Sequence, residues 1–405
     1  MLAPIAAFRG LFLRLAASAA LASVACSVGA QSAAAPAPGN DGSAITAPAL
    51  AVNAPALTRP APVVNAPAIT APAIALLLPS QQSIFASAAE AVRQGFFEAH
   101  KIAGSNAVIQ VIETDDDFDQ LGTALLAARD RGVRVAVGPL RRDAVNAIVD
   151  GGRAVLPLVT LNFPERDAAA PLTMIALGLS AESEAERVVQ VALSSFIPLR
   201  QGASTGSRII VLAGAGALDR RIAQAYVTAL RSQGEDPLLV EANAAAVGRL
   251  ARQFETGTYD AVFLALGARE ASVLRSRIPR GVAIFGTSLL NVGAPSSSPT
   301  ASALAFDLEG VRFVDMPWLL QPDHPAVMVY PAPARPMALD TARLYALGVD
   351  AYRIAQEWMK GESRFEIDGV TGRLRVHRAQ SVRVERIPTS AIYRNGVIER
   401  EEFAR

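Results

Sequence analysis

Apolar runs of strand length alternate with amphipathic helical stretches along the chain from Ile74 onward. The runs predict four strands, at 74–78, 107–112, 133–137 and 154–159. The stretches between them predict three helices, at 83–101, 117–131 and 140–150. The first of these helices has apolar residues along a single face, namely Phe85, Ala88, Val92, Phe96 and Ala99. Such alternation is typical of right-handed βαβ crossovers, and it predicts a mainly parallel sheet with helices on both faces.

The same alternation restarts after residue 181 and predicts a second α/β unit. Its helices are expected at 182–197, 217–233, 245–256 and 268–277. Its strands are expected at 208–213, 237–241, 259–265 and 282–285. Two such units in succession favour a protein with two lobes.

The segment 309–320, with the sequence EGVRFVDMPWLL, predicts a connection between the lobes. Val311 and Phe313 alternate with Arg312, which is the period-2 spacing of a half-buried strand. A long helix at 340–359 follows and has one wide apolar face. A strand that leaves one lobe and a helix that packs in the other would join the two lobes.

The predicted fold class is α/β, in the form of the type I periplasmic-binding-protein fold. In that fold two lobes, each with a mainly parallel sheet flanked by helices, are joined by multiple interlobe crossovers. The last part of the chain is expected to form β-hairpins, with turns at Gly369, Gly372 and Asn395-Gly396. The expected boundaries are 73–180 plus 315–364 for lobe 1, and 181–314 plus 365–400 for lobe 2.

Residues 1–30 have the pattern of an export signal, in which a positive region precedes the apolar stretch Leu15–Ala25. Cleavage before Gln31 would release a soluble periplasmic protein. The segment Ser23-Val24-Ala25-Cys26 loosely resembles a lipobox, and processing there would lipidate Cys26 and anchor the protein at the outer membrane. The sequence leaves both endings open.

Residues 31–72 consist almost entirely of Ala, Pro, Ser, Thr, Asn and a few aliphatic residues. This composition predicts an Ala/Pro-rich disordered linker, because proline at such density disfavours helix and sheet and favours extended polyproline II. At about 3.1 Å per residue the linker could reach on the order of 100 Å. It is either a plain spacer or a tether that holds the folded part away from an anchor.

The composition argues against several function classes. The 405 residues carry a formal net charge of +1, so neither nucleic acid nor an anionic membrane surface is an expected partner. Three histidines and one cysteine are too few to predict a zinc site or a disulfide framework in the folded part. Because no nucleophile–base pair or metal cluster emerges, we expect no cofactor, no metal and no enzymatic activity.

Six residues follow the ends of predicted strands, where α/β sheets place their ligands. These candidate ligand-cleft residues are Ser80, Gly138, Leu140, Asn162, Gly214 and Thr287. The turn at Gly138 leads into a helix, so it could hold a carboxylate or phosphate, or it could be a tight strand-to-helix turn.

Other motifs have structural explanations beside the chemical ones. The segment Gly214–Asp219 resembles a dinucleotide fingerprint, but Asp219 replaces its third glycine. The segment 202–206 matches G-x-S-x-G, yet it lies between a helix and a strand in the wrong order for a nucleophile elbow. The acidic segment 114–119 fits helix capping better than calcium binding. Trp318 is either core packing beside an interlobe crossing or, if exposed, a partner contact.

Five segments carry a resemblance to known families, and they are Ile74–Pro79, Val137–Leu140, Gly310–Leu320, Leu344–Tyr352 and Gly369–Gly372. The first two are shared with many amino-acid-binding receptors. The blocks at 310–320 and 344–352 specifically resemble the periplasmic activators of penicillin-binding proteins, the LpoA/LppC group. The resemblance covers about residues 73–400.

This resemblance implies a non-catalytic periplasmic regulator that binds and activates a class A peptidoglycan synthase, that is, a class A penicillin-binding protein. The alternative is an ABC-transporter-type solute-binding protein for an amino-acid-like ligand, or a cleft that takes a muropeptide. Leu161 and Asn162 stand where amino-acid receptors usually have small hydroxyl residues, which weakens the alternative. The membrane becomes a partner only if Cys26 is lipidated.

Overall fold

The structure is a computed structural model that describes residues 73–114, 118–167, 170–195, 208–255, 259–331 and 336–401. The predicted export signal, Cys26 and the predicted linker lie outside the described residues. So do the G-x-S-x-G match at 202–206 and residues 115–117 of the acidic segment at 114–119.

The first sheet has five parallel strands in the order β2-β1-β3-β4-β5. Its strands are β1 (Ala73–Leu78), β2 (Val108–Glu113), β3 (Val133–Val137), β4 (Leu158–Thr160) and β5 (Met174–Ala176). Three helices connect the first four strands, namely α1 (Ala86–Ile102), α2 (Phe118–Asp130) and α3 (Arg142–Asp150). The prediction of a strand over 154–159 was wrong at its start, because Pro157 has no N–H and pairing begins at Leu158.

The second sheet has seven strands in the order β15-β14-β10-β9-β8-β6-β7. Its strands are β6 (Ile209–Ala213), β7 (Leu238–Glu241), β8 (Ala261–Ala265), β9 (Ala283–Gly286), β10 (Val311–Asp315), β14 (Thr389–Arg394) and β15 (Val397–Arg400). Its helices are α4 (Ala181–Ser195), α5 (Ala217–Ser232), α6 (Ala244–Glu255), α7 (Ala268–Arg275) and α8 (Pro299–Asp307). Strand β10 pairs in parallel with β9 and antiparallel with β14. After β10 the chain passes through the first lobe and comes back as β14, next to the strand from which it left.

The chain between β10 and β14 contains the remaining elements. These are the helices α9 (Pro317–Leu320), α10 (Pro325–Met328) and α11 (Leu339–Met359), and the strands β11 (Arg364–Asp368), β12 (Arg373–His377) and β13 (Glu385–Ile387). The three strands form a separate antiparallel sheet in the order β11-β12-β13. The predicted hairpins are therefore present, but they belong to two sheets.

The third sheet corrects one predicted boundary, since we expected residues 365–400 to belong entirely to lobe 2. Apolar residues from 367 to 384 are buried in the same core as β1, α1 and α11. Val384 also donates its N–H to the carbonyl of Ala176 in β5, at 3.1 Å, which ties the third sheet to the edge of the first. The chain therefore returns to the second sheet at Pro388, and only the strands after it join that sheet. The other lobe boundaries stay predictions.

Helices α1 and α11 pack at very short range on the first sheet. A Cβ atom on Gly95 would lie 1.9 Å from the carbonyl oxygen of Tyr345, and one on Gly348 would lie 2.1 Å from the carbonyl oxygen of Val92. Real Cβ atoms do not approach backbone oxygens so closely, so both positions need glycine. This contact fixes the long helix that follows the crossing from the second lobe.

Candidate functional site: a hinge cavity

The chain crosses between the two large sheets three times, and the three crossings meet around a cavity of about 60 Å³. The first crossing follows β5 and contributes Ser180 and Glu184 to the cavity wall. The second follows β10 and contributes Asp315, and the third contributes Arg386 and Pro388. We call this space the hinge cavity. Any change in the angle between the lobes must move its walls.

A buried ion pair fixes the second crossing. Asp315 ends β10 and is 2% exposed. Arg343 of α11 donates to both of its carboxylate oxygens, from Nη2 at 2.7 Å and from Nε at 3.2 Å. Asn291 Nδ2 and the N–H of Met316 donate to the same carboxylate at 2.7 and 2.8 Å. Burial opposes the charged guanidinium, but the hydrogen bond and charge of Asp315 raise the pKa of Arg343 above its ordinary value.

A second buried carboxylate supports the third sheet. Asp350 on α11 is fully buried and accepts hydrogen bonds from the N–H groups of Val370 and Thr371, at 3.1 and 2.8 Å. The Thr371 hydroxyl donates to the same carboxylate at 2.7 Å. Burial raises the pKa of Asp350, while Arg353 and the hydrogen bonds of Thr371 act in the opposite direction. This carboxylate holds the turn between β11 and β12 against the long helix.

Arg386 connects that turn to the hinge cavity. Its Nε donates to the Thr371 hydroxyl at 3.1 Å, and its Nη1 donates to the carbonyl of Gly178 at 2.6 Å. Its Nη2 is buried and has no hydrogen-bond partner among the described residues. Burial lowers the pKa of Arg386, and the negative charges of Asp350 and Glu184 oppose that shift.

Glu184 is a further wall residue of the hinge cavity, on the first turn of α4. Its carboxylate accepts a hydrogen bond from the N–H of Ser288 at 3.0 Å. Burial and the like charge of Asp315 raise the pKa of Glu184 to about 6. This side chain therefore changes its charge within the pH range of ordinary biochemistry.

A wider groove of about 360 Å³ lies beside the hinge cavity. The two spaces share Ser183, Arg383, Val384 and Arg386 as wall residues. The groove runs between α4 and the third sheet, and its walls carry several arginines and glutamates. The hinge cavity therefore has a polar approach from the surface.

The predicted ligand-cleft residues of the first sheet lie near each other. Asn162 Nδ2 donates to the carbonyl of Leu140 at 3.1 Å, and its Oδ1 accepts from the N–H of Phe163 at 3.0 Å. Gly138 lies against Leu77, because a Cβ atom there would be 2.1 Å from the Leu77 carbonyl oxygen. Close packing thus explains this glycine, and the Asn162 amide already makes two local hydrogen bonds.

The other predicted cleft residues occupy separate places. Ser80 is buried at one wall of a surface hollow of about 470 Å³, beside Thr114 and Arg141. Gly214 and Thr287 follow strands of the second sheet, and Thr287 is 1% exposed. No hydrogen bond within the described part of the chain joins these two to the four residues of the first sheet. All six stay predictions as ligand-binding residues.

Sequence reasoning missed Glu184, Thr371 and Arg386 of the hinge cavity. Glu184 is one of several glutamates on an amphipathic helix, so nothing in the sequence pattern marks it as a cavity residue. Asp350 did carry a signal, because it interrupts the apolar face of the long predicted helix. A lone carboxylate in such a face predicts a buried hydrogen-bonding partner.

Two other motifs have structural roles. The Trp318 ring packs with the ring of Tyr345, at a centroid distance of 5.1 Å, which agrees with core packing beside the crossing. The Asp219 carboxylate accepts a hydrogen bond from the N–H of Gly216 at 3.0 Å and so caps the start of α5. Within the described ranges, no helix is long and apolar enough to span a membrane, and no group of three potential metal ligands occurs.

Two mainly parallel sheets, three crossings and a long helix that packs across the first sheet define a type I periplasmic-binding-protein fold. The chain also matches the family described as "LppC putative lipoprotein", over residues 62–244 and 243–396. Because these matches cover most of its length, the chain belongs to the LppC family.

Curated relatives carry the name penicillin-binding protein activator LpoA. The protein from Photobacterium profundum is 24% identical over 323 residues, which cover 74% of this chain and 52% of that protein. The protein from Erwinia tasmaniensis is 28% identical over 319 residues, which cover 67% of this chain and 46% of that protein. The chain thus spans about half the length of the curated relatives it matches.

Solved structures show the same fold. The C-domain of LpoA from Haemophilus influenzae, described as a regulator of PBP1A, is 20% identical with a TM-score of 0.63. The match covers 82% of this chain and all of that domain (100%). A "putative branched-chain amino acid ABC transporter" from Chromobacterium violaceum is 31% identical with a TM-score of 0.67, and the match covers 79% of this chain and 99% of that one.

Proposed function

We propose that this protein binds a class A penicillin-binding protein and activates it, as the names of its relatives describe for them. The observation that carries the proposal is the LppC family match, which extends over residues 62–396 and so over nearly all described elements. The structural match to an LpoA C-domain covers all of that domain, so the similarity extends over a complete domain and not over a fragment of one. The activity would then reside in the two-lobed part of the chain.

A regulatory role without catalysis also agrees with the chemistry of the hinge. The carboxylate of Asp315 accepts four hydrogen bonds, and that of Asp350 accepts hydrogen bonds from the Val370–Thr371 turn. Carboxylates used in this way orient the backbone and are poor general bases. The buried charges therefore support a role in fixing the lobes.

We place the protein in the periplasm, on the basis of the export pattern at its start and the lipoprotein description of its family. Lipidation of Cys26 would add an outer-membrane anchor. The mass of the mature N-terminus tests this part, since a chain that begins at Gln31 and a lipidated chain that begins at Cys26 differ in mass.

The decisive experiment measures binding and activity together. The chain without its export signal would be titrated against purified class A penicillin-binding proteins of the same bacterium at physiological salt. If the protein binds the active state of the synthase more tightly than the inactive state, the transpeptidation rate should rise and reach a plateau as the synthase is saturated. Absence of binding to every such synthase would refute the proposal.

Variants of exposed apolar residues would sharpen this experiment, because partner contacts often use such side chains. Ile84 is 92% exposed beside the first sheet, and Met328 is 68% exposed on α10. We expect Ile84→Ser and Met328→Ser to leave thermal stability unchanged. A loss of synthase binding in either variant would assign the contact surface to that residue. Val273→Ser, at a 66% exposed position on α7 of the other lobe, is the matched control.

A second candidate function is solute binding, and the 31% identical structure with a transporter name is the observation that favours it. The internal hydrogen bonds of Asn162 count against it, because they occupy a predicted ligand donor. A thermal-shift screen with amino acids and muropeptides separates the two functions. A ligand at about 100 times its dissociation constant stabilises by about 2.7 kcal/mol, so a true ligand would be visible.

A further inference from the structure

Strand β2 is an open edge of the first sheet. It pairs on one side with β1, and among the described residues no strand pairs with its other side. An edge strand of this kind presents backbone N–H and C=O groups to which a further strand can bind. All six residues of β1 are buried, whereas no residue of β2 is fully buried.

The sequence of this edge lacks the usual protection against strand pairing. Proteins guard an open edge with lysine, proline, bulges or very short strands. Strand β2 has the sequence VIQVIE, without proline, glycine or a basic residue, and it pairs with β1 in an unbroken register. Val108 and Val111 are 47% and 40% exposed on it. Short segments of this composition pair readily with other strands.

The helices before and after β2 also expose apolar side chains. Helix α1 packs on one face of the first sheet and α2 packs on the other. Ile102 at the end of α1 and Leu126 on α2 are both exposed. A strand added at β2 would therefore extend a sheet whose flanking helices offer apolar surface on both faces.

The residues of β2 form a palindrome by type, with Gln110 at its centre. Two β-branched residues precede this glutamine and two follow it. A twofold axis perpendicular to the sheet at Gln110 would make two copies of β2 antiparallel neighbours. The opposed pairs would be Val108 with Ile112, Ile109 with Val111, and Gln110 with its own copy. Because β-branched residues pack well against cross-strand neighbours, this edge is complementary to itself.

Charge distinguishes this edge from the open edge of the second sheet. In the antiparallel pairing Glu113, the only charged residue of β2, lies opposite Ala107 of the other copy and not opposite itself. The outer strand β7 of the second sheet has three carboxylates in or just before it, those of Glu235, Asp236 and Glu241. Two copies paired there would bring these like charges together, which is unfavourable. Charge therefore favours self-pairing at β2 over self-pairing at β7.

We propose that the outer edge of β2 is a homodimer interface, in which two copies of the chain join their first sheets through antiparallel β2 strands centred on Gln110. The five strands of each first sheet then belong to one continuous sheet. Both copies use the same edge, so the assembly closes at two chains and does not grow into a filament.

Analytical ultracentrifugation of the chain without its export signal tests the proposal. Between about 1 and about 100 µM, a range that suits a small interface, we expect the mass to rise from that of one chain towards that of two. Gln110→Lys and Gln110→Glu should each give a monomer, because two like charges then face each other on the axis. An equimolar mixture of the two variants should restore the dimer, because lysine then faces glutamate.

Leu239→Lys is the matched control, since it places a lysine at an exposed position of the other open edge, β7, and should leave the dimer unchanged. A dimer restored in the mixture also shows that both Gln110 variants are folded. A monomer at every concentration would overturn the proposal and leave the edge to the synthase or to residues 31–72. Dimers that persist in both single variants, or a mixture that stays monomeric, would overturn it as well. The experiment contains no synthase, so its outcome is independent of the proposed activator function.

Discussion

Arg343 of α11 and Asp315 at the end of β10 form a buried ion pair that joins the long helix of the first lobe to the central sheet of the second. The guanidinium also donates to the carbonyl of Ser288 at 3.1 Å, so one side chain binds two segments of the second lobe. The helix that carries Arg343 is in turn fixed on α1 by the two glycine contacts. The hinge is thus a polar junction attached to a tightly packed helix pair.

Replacement of Arg343 by methionine should destabilise the protein strongly, because it leaves Asp315 as a buried carboxylate without a cation. Removing one partner of a buried pair costs about 3–5 kcal/mol. The control is Arg166→Met, whose pair with Asp150 has side chains that are 72% and 55% exposed. Exposed pairs contribute about 0–1 kcal/mol. Urea unfolding measures both free energies, and similar losses for the two variants would contradict the assigned role of the buried pair.

Gly348→Ala should disrupt the contact between α1 and α11. The new methyl group would lie 2.1 Å from the Val92 carbonyl oxygen, so the helices must move apart. Overpacking of this kind costs about 1–3 kcal/mol, and we expect the upper end because the obstacle is backbone.

Gly248→Ala is the matched control for Gly348→Ala, because it makes the same change inside another helix, α6. Apart from the local backbone of its own helix, no atom lies within 4 Å of its added Cβ position. Helix propensity then predicts a gain of up to about 1 kcal/mol. Thermal unfolding of the two variants should therefore shift in opposite directions, and a Gly348→Ala variant that unfolds at the original or a higher temperature would show that α1 and α11 tolerate separation.

Two buried tyrosines should respond differently to removal of their hydroxyl groups. The Tyr393 hydroxyl donates to the carbonyl of Leu290 at 2.7 Å and accepts from the N–H of Val292 at 3.0 Å. Tyr393→Phe leaves both backbone groups without this partner and should cost about 1–3 kcal/mol. The Tyr226 hydroxyl is buried without a partner among the described residues. Tyr226→Phe should therefore leave the free energy of unfolding unchanged or raise it, and an equal loss in both variants would disprove the assigned contacts.

Glu184→Gln should change how stability depends on pH. The pKa of Glu184 is raised to about 6 in the folded protein from an ordinary value of 4.5, so the folded state binds the proton more tightly than the unfolded state. Its favourable contribution is fully present below pH 4.5 and is lost as the pH rises through about 6. Relative to the original chain, the glutamine variant should gain about 2 kcal/mol at pH 8 and nothing at pH 4. A gain that is independent of pH would contradict this assignment.

The alternation of apolar runs was sufficient to predict most of the first two sheets, because continuous apolar strands such as β1 and β6 have no other stable placement in a protein of this size. The pattern failed for β5, since a strand of three residues carries no period. It also failed to assign β11 to β13 to the first core. Period-2 alternation shows that a strand has one buried face, but it does not show which core that face meets.

The hinge cavity was the least predictable part. Its wall residues come from positions as far apart in the chain as Phe163 and Pro388, and only the fold brings them together. Nothing in the local sequence shows that Arg386, and not a neighbouring arginine of the same strand region, reaches the inner end of the cavity wall. The predicted ligand-cleft residues, in contrast, came from a general rule about strand ends, and that rule does not say whether their polar groups are already engaged.

The core of the first lobe includes residues from β1 at one end of the folded chain and from the third sheet near the other. The chain emerges from its beginning, both from the ribosome and across a membrane during export, so β1, α1 and their neighbours emerge hundreds of residues before the strands that complete their packing. Until then the apolar face of β1 lacks part of its final cover and is exposed to misassociation. Contacts of such high sequence separation also slow folding. The first lobe therefore cannot complete its core until the third sheet, which ends at Ile387, has emerged.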